Sequence, residues 1–76
     1  MNYNNKRLKQ KRAEAGLSQS GLAAMSGVSL RMIQYYEQGR DDINKAQVGT
    51  VYRLAKALGC GVEDVIEKER LTDSER

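Results

Sequence analysis

Glycines and helix caps must divide this chain into segments, because its 76 residues include seven glycines and no proline. Stretches rich in Ala, Leu, Lys, Arg, Gln and Glu predict helices, and a glycine directly after such a stretch predicts a left-handed helix end. Gly16, Gly27, Gly39 and Gly59 each follow a stretch of this kind. The alternation of period two that marks a strand is missing, so the sequence predicts an all-α fold.

Five helices are expected between these breaks. The first begins at Asn4 or Asn5 and runs to Ala15, and the second, of about eight residues, follows the N-cap Ser18. The third is capped by Ser29 and ends near Gly39. The fourth is capped by Asn44 and has an apolar stripe of Val48, Val51, Tyr52, Ala55 and Leu58. The fifth is short, from Val62 to about Glu67, and buries Val62, Val65 and Ile66. We assign residues 1–67 to one domain and expect the charged segment 68–76 to be a flexible tail.

The third predicted helix has two distinct faces. Met32, Ile33 and Tyr36 lie together on one side at helical spacing, which predicts the face packed on the core. The opposite, solvent-facing side holds polar and apolar side chains together, namely Leu30, Arg31, Gln34, Tyr35 and Gln38.

The inventory of reactive side chains argues against an enzyme. The chain has no histidine and a single cysteine, Cys60, so disulfide frameworks, the usual Cys/His zinc sites and His-activated nucleophiles are excluded. We expect no cofactor, no metal ion and no small-molecule substrate. No apolar run reaches the roughly 18 residues of a membrane span, and no signal-peptide core follows the N-terminus, so we expect a cytoplasmic protein without a membrane partner.

The formal net charge of +3 conceals an asymmetry. Residues 1–40 have seven Lys and Arg against two acids, a net charge of +5, whereas residues 41–76 have six bases against eight acids, a net charge of −2. A basic half indicates a polyanionic partner such as nucleic acid or an anionic membrane face. Helix one has Leu8 as its only large apolar residue, which disfavours the membrane surface.

The order of motifs resembles that of the phage-repressor/Cro-like helix-turn-helix family, also called XRE. The resemblance covers roughly residues 6–67. Its elements are Leu17-Ser18-Gln19, Leu22-Ala23, Gly27-Val28-Ser29, Ile33, Tyr36-Glu37-Gln38-Gly39, Leu54-Ala55-Lys56-Ala57-Leu58-Gly59 and Val62-Glu63-Asp64-Val65-Ile66. The resemblance implies a compact five-helix, lambda-repressor-like domain that binds double-stranded DNA with its third helix in the major groove.

The outer face of that helix suits base reading on chemical grounds as well. Arg31 can contact guanine with two hydrogen bonds, Gln34 can pair with adenine, and Tyr35 can donate a hydrogen bond or pack. Leu30 can touch a thymine methyl group, and Gln38 belongs to the same candidate surface. Similarity to the family assigns phosphate contacts to Gln19, Ser29, Arg40 and Lys45, of which Ser29 also serves as an N-cap.

Two further features follow from the alignment with the family. Arg12 and Glu37 match a partly buried ion pair of some relatives, and we assign this pair a structural role. The loop from Arg40 to Lys45 is longer than the common pattern and contains Asp41 and Asp42, which are unfavourable neighbours for phosphates.

The leading interpretation is a sequence-specific transcriptional regulator, a repressor, that binds DNA as a homodimer through helix five and the region of Leu71. One such domain reads only half a site, and dimers reach two half-sites. The alternative is an antitoxin-like or adaptor protein whose main partner is another protein. The sequence leaves open the operator, the genes controlled and the sign of regulation.

Overall fold

Four α-helices form between the predicted breaks. The computed structural model describes residues 3–71, and within them no strand occurs, which confirms the all-α prediction. The α-helices are α1 (Lys6–Glu14), α2 (Gln19–Ser26), α3 (Leu30–Glu37) and α4 (Val48–Leu58), and single-turn 3₁₀ helices occupy Ile43–Lys45, Val62–Asp64 and Lys68–Arg70.

The predicted count of five helices is wrong for the described residues. The segment expected to be helix five contains only the 3₁₀ turn Val62–Asp64. Downstream of it, the Asn44 side chain pairs with the backbone of Glu67, accepting from its N–H at 2.8 Å and donating to its C=O at 3.0 Å. Because the Glu67 N–H donates to Asn44, it is not available for the bond to the Glu63 C=O that would continue an α-helix through residue 67.

Local caps set the bounds of α2 and α3. Ser18 Oγ accepts a hydrogen bond from the Gly21 N–H at 2.9 Å, and Ser29 Oγ accepts one from the Met32 N–H at 3.1 Å, as predicted for both N-caps. Gly27 ends α2 with a φ of 77°, a conformation that residues with a Cβ atom rarely adopt. The resulting short turn directs α3 across α2, the geometry of a helix-turn-helix unit.

Two features of the structure require a glycine at position 39, after α3. Gly39 has a φ of 77°, and a Cβ atom built on it would collide with the backbone carbonyl oxygen of Tyr3. The Tyr3 N–H donates to the Gly39 carbonyl at 2.8 Å. The start of the described chain therefore lies directly against the end of α3.

One apolar core joins the four helices. Leu8 of α1, Leu22 of α2, Ile33 of α3 and Leu54 of α4 are fully buried there. The inner face predicted for α3 is confirmed, since Ile33 and Tyr36 are buried and Met32 packs against the same cluster. The other buried apolar residues are Val28, Ile43, Val51, Ala55 and Val65. Burial of six large aliphatic side chains, at about 1.5–3 kcal/mol each, is the main force that holds the helices together.

The start and stripe predicted for α4 are partly wrong. The helix begins at Val48, with Gln47 as the N-cap residue, because Asn44 is held by Glu67 instead of capping. Val48 is 77% exposed and Tyr52 is 54% exposed, so neither belongs to the core. These two lie four residues apart on one side of the helix, whereas Leu54 and Ala55 face the interior.

The N-terminus of α1 is capped from the far end of the chain. Asn5 occupies the N-cap position but makes no side-chain cap; the Glu67 Oε2 atom accepts from the Arg7 N–H at 2.7 Å instead. The first residues of the predicted flexible tail form the 3₁₀ helix Lys68–Arg70, and Arg7 and Glu69 form an ion pair. Residues 72–76 of that tail lie outside the described residues. None of the helices in residues 3–71 has the length and apolar character needed to cross a membrane.

Candidate nucleic-acid interface

The outer face of α3 presents the predicted base-reading side chains. Arg31 and Gln38 are exposed, Leu30 is 37% exposed, and Gln34 and Tyr35 are half-buried. The face is rigid in its placement, because Ile33 and Tyr36 anchor the opposite side of the helix in the core. A helix that projects amide, guanidinium, phenol and aliphatic groups from one face has the chemistry needed to contact base edges in a major groove.

Arg40 extends this face beyond the end of α3. Its guanidinium carbon lies 4.6 Å from the centroid of the Tyr35 ring, within the range of a cation–π contact. Tyr35 is a predicted base contact and Arg40 a predicted phosphate contact. The structure therefore brings one residue of each kind together in a single stack.

The Arg12–Glu37 pair ties α1 to the C-terminal end of α3. Arg12 Nε lies 2.7 Å from Glu37 Oε2, and the second nitrogen, Nη2, lies 2.9 Å from Oε1. Arg12 Nη1 also donates to the Leu17 carbonyl at 2.8 Å, so the guanidinium spans the turn before α2. The side chains are only 16% and 4% exposed. Two parallel bonds of this kind fix both distance and orientation.

Gln19 completes the same network from α2. Its Nε2 atom donates to Glu37 Oε1 at 2.9 Å, so one carboxylate joins α1, α2 and α3. The amide group of Gln19 has two N–H bonds, and one of them is available for another acceptor. In this position Gln19 supports the end of α3, and a phosphate contact through the second N–H stays a prediction.

The protonation state of Glu37 follows from its partners. Burial alone would raise the pKa of Glu37, but the hydrogen bonds from Arg12 and Gln19, with the charge of Arg12, hold that pKa below its ordinary value. The hydrogen bond to Glu37 correspondingly raises the pKa of Arg12, against the opposing effect of burial. Arg12 and Glu37 are therefore both charged at neutral pH.

The loop after α3 forms one side of a surface pocket. The pocket has a volume of about 310 Å³ and is lined by Tyr3, Tyr36, Arg40, Asp41, Asp42, Lys45 and Ala46. Arg40 and Lys45, the two predicted phosphate contacts, thus border the same cavity and are both exposed. Ser29 lies apart from them at the start of α3, where its hydroxyl group is engaged as the N-cap.

Sequence reasoning missed two residues that hold this loop. The Asn5 side-chain amide donates to the Tyr36 carbonyl at 2.9 Å and to the Asp41 carbonyl at 2.6 Å. Arg70 donates to Asp42 Oδ1 at 2.6 Å and to Asn5 Oδ1 at 2.9 Å. These partners lie 28 to 65 residues apart along the chain, so no local spacing could have indicated them.

No group of three or more Cys, Asp or Glu side chains within residues 3–71 is arranged to hold a metal ion. Cys60 is a half-buried free thiol, and burial raises its pKa.

Comparison with known proteins identifies the family. A family model described as helix-turn-helix matches residues 8–65, more than half of the chain. The chain therefore belongs to the helix-turn-helix family, and the XRE-type resemblance predicted from the order of its motifs is confirmed.

Two curated relatives are similar over most of this chain. It is 37% identical to the uncharacterised HTH-type transcriptional regulator y4mF of Sinorhizobium fredii over 59 residues, which are 78% of this chain and 74% of that protein. It is 39% identical over 57 residues to an uncharacterised transcriptional regulator in the ATPase CF(0) region of Rhodospirillum rubrum. That match covers 75% of this chain and half of the length of the relative.

A solved structure has the same arrangement of helices. The chain superposes on the restriction-modification controller protein C.AhdI of Aeromonas hydrophila with a TM-score of 0.71 at 27% identity. The superposition covers 82% of this chain and 89% of the controller protein. The helix packing described above is therefore shared with a protein of known structure.

Proposed function

We propose that this protein is a sequence-specific DNA-binding transcriptional regulator that reads the major groove with α3. The family and the two regulators among its relatives support the class. One observation supports the mode of reading, namely that Arg31, Gln34 and Tyr35 share the outer face of a helix whose inner face is fixed in the core. The basic half of the sequence includes that helix, as a polyanionic partner requires.

Phosphate contacts around α3 set the register of the complex in this proposal. In this proposal Arg40 and Lys45 bind the DNA backbone from the loop after α3, Gln19 binds it from the start of α2, and the N-terminus of α3 binds it at Ser29. Each neutralised phosphate releases counterions, so the affinity falls as salt rises. Gln38 and Leu30 complete the base-reading surface at its two ends.

A fluorescence-anisotropy titration tests this function. The operator is first selected from a pool of random duplexes, and binding is then measured against salt on the selected and on random DNA. Arg31→Ala should cost about 1–3 kcal/mol on the selected site and little on random DNA, and Arg40→Ala should reduce the log–log salt slope by about 1.

Arg53→Ala is the matched control, since Arg53 is an exposed arginine of α4 outside the proposed surface. It should leave the ratio of selected to random affinity unchanged. The assignment of α3 is overturned if Arg31→Ala and Tyr35→Ala bind the selected site as tightly as the wild type does.

The proposed assembly on DNA is a homodimer that acts as a repressor. One helix reads about half a site, so two copies are needed for two half-sites one helical turn apart. The exposed Leu71, at 53%, and the half-buried Ile66 supply apolar surface for the pairing. Sedimentation should give two chains per selected duplex, and a promoter that overlaps the site should lose activity when the protein is supplied.

A second candidate function, that of an antitoxin-like or adaptor protein, is favoured by a different surface. Met25 and Tyr52 are 61% and 54% exposed and border a pocket of about 330 Å³ between α2 and α4. No residue of α3 lines this pocket. In this function another protein is the main partner. The double variant Met25→Ser with Tyr52→Ser should then abolish the effect of the protein in cells, while its affinity for the operator in vitro stays unchanged. If that effect is instead lost only with Arg31→Ala, the DNA-binding function is favoured.

A further inference from the structure

We propose that Arg70 is a positioning residue for the DNA-binding loop: it compensates the charge of Asp42 and thereby keeps the loop from Arg40 to Lys45 able to accept a phosphate. The inference rests on the proposed DNA-binding function and deepens it by adding a residue from the C-terminal segment. Neither Arg70 nor Asp42 is a predicted DNA contact.

The loop contains both signs of charge within one cavity. Arg40, Lys45, Asp41 and Asp42 line the same pocket, so its formal charge without any neighbour is zero. A phosphate entering such a pocket would gain attraction from the two cations and lose a similar amount to the two carboxylates. The loop therefore needs an additional positive charge to act as a phosphate site.

Arg70 supplies that charge from 28 residues away. Its terminal nitrogen lies 2.6 Å from Asp42 Oδ1, and the Asp42 side chain is only 15% exposed. With Arg70 included, the group has three cations and two carboxylates, a net charge of +1. The partly buried position of this ion pair makes it less sensitive to screening by salt than an exposed pair would be.

The position of Arg70 is itself fixed by the fold. The same terminal nitrogen donates to Asn5 Oδ1 at 2.9 Å, and the guanidinium lies 5.8 Å from the ring centroid of Tyr3. Asn5 in turn holds the loop through the Asp41 carbonyl. Arg70 is thus placed between the N-terminal segment and the loop, and it does not depend on DNA to be brought there.

Asp42 has a second role that explains its presence beside a phosphate site. Its Oδ1 atom accepts from the Asn44 N–H at 3.0 Å and so caps the 3₁₀ turn Ile43–Lys45, which leads to Lys45. An asparagine retains this acceptor without the charge. Asp42→Asn therefore separates the electrostatic role of Asp42 from its role in shaping the loop.

The test measures binding to a random-sequence duplex, because phosphate contacts do not depend on base sequence. The proteins compared are the wild type, Arg70→Met, Asp42→Asn, the double variant and Lys68→Met, each with its thermal unfolding recorded. Lys68 is an exposed residue of the same 3₁₀ helix, so Lys68→Met removes the same net charge at a different place.

At low salt, Arg70→Met should bind about fivefold more weakly than the wild type, and Lys68→Met should lose clearly less. The double variant Asp42→Asn with Arg70→Met restores the net charge of the pocket, so its affinity should return to within about twofold of the wild type. The loss in Arg70→Met should shrink as the salt concentration rises, which a purely structural loss would not do.

Asp42→Asn alone should bind more tightly than the wild type, and this measurement stands even if Arg70→Met folds poorly. The inference is overturned if the double variant stays as weak as Arg70→Met, if Asp42→Asn fails to bind more tightly, or if Lys68→Met loses as much as Arg70→Met. In each of these cases the wild type still binds DNA in a salt-dependent way, and the proposed function stands. A wild type that binds no duplex overturns the proposed function itself.

Discussion

Glu37 is the residue on which the placement of α3 most depends. Its carboxylate accepts hydrogen bonds from Arg12 and Gln19, side chains of two other helices, and it is 4% exposed. A buried carboxylate without partners would be strongly unfavourable, so Glu37 depends on the hydrogen bonds from Arg12 and Gln19. The end of the proposed reading helix is therefore fixed by charge as well as by apolar packing.

We predict that Glu37→Gln lowers the free energy of unfolding by about 2 kcal/mol at pH 7, because charge-assisted hydrogen bonds are lost. The folded pKa of Glu37 lies below its unfolded value of about 4.3, so the stabilisation is present above that value. It disappears as the pH falls through the lower folded pKa. The difference between wild type and variant in urea unfolding should therefore shrink as the pH is lowered from 7, and it should close once the pH is below the folded pKa of Glu37.

The matched control for this prediction is Glu14→Gln. Glu14 lies 3.4 Å from Lys11 in an exposed pair, with its side chain 56% exposed. Such a pair contributes little, so the control should unfold like the wild type throughout this pH range. A pH-independent difference for Glu37→Gln would show that the loss is one of shape and not of charge.

The helices differ in how far the sequence could predict them. Ser18, Gly27 and Ser29 act within three residues of the groups that they cap or turn, so α2 and α3 follow from local patterns. The cap of α1 could not be predicted, because Asn5 occupies the capping position and Glu67 supplies the bond. The capping role predicted for Asn44 is wrong for the same reason, since its partner Glu67 lies 23 residues further along the chain.

The segment after α3 provides a second prediction. Gly39→Ala should destabilise the fold by about 3 kcal/mol or more, because an alanine there combines an unfavourable positive φ with a collision against Tyr3. Gly59→Ala has a similar φ of 72° but nothing within 4 Å of the new Cβ, so it should cost only about 1–2 kcal/mol. Equal losses in urea unfolding would mean that the Tyr3 segment yields freely.

At the scale of the whole molecule, the two ends of the described chain meet beside the candidate interface. Glu67 caps α1, Arg70 contacts Asn5 and Asp42, and Tyr3 pairs with Gly39. The outer face of α3 could be predicted from spacing because all its residues lie on one helix. The support of the neighbouring loop could not, since it depends on which distant segments the core brings together.

Glu67→Ala tests this closure of the chain. Loss of the remote cap should lower the free energy of unfolding by about 1–2 kcal/mol and accelerate hydrogen exchange at the Arg7 amide. Glu69→Ala is the control, because Glu69 is exposed and pairs with the Arg7 side chain instead of the Arg7 N–H. Its unfolding and its exchange at Arg7 should stay close to those of the wild type; matching exchange rates in the two variants would contradict the cap.

The stack of Arg40 on Tyr35 has a consequence for how such a protein can change its target. Under the proposed function, Tyr35 contacts a base and Arg40 binds a phosphate. The guanidinium carbon of Arg40 lies 4.6 Å from the centroid of the Tyr35 ring. A substitution at Tyr35 that alters the preferred base also releases Arg40 and weakens binding to every sequence. A new base preference gained by substituting Tyr35 therefore also lowers the affinity for DNA of any sequence. A second substitution elsewhere must restore that affinity before the new preference is useful.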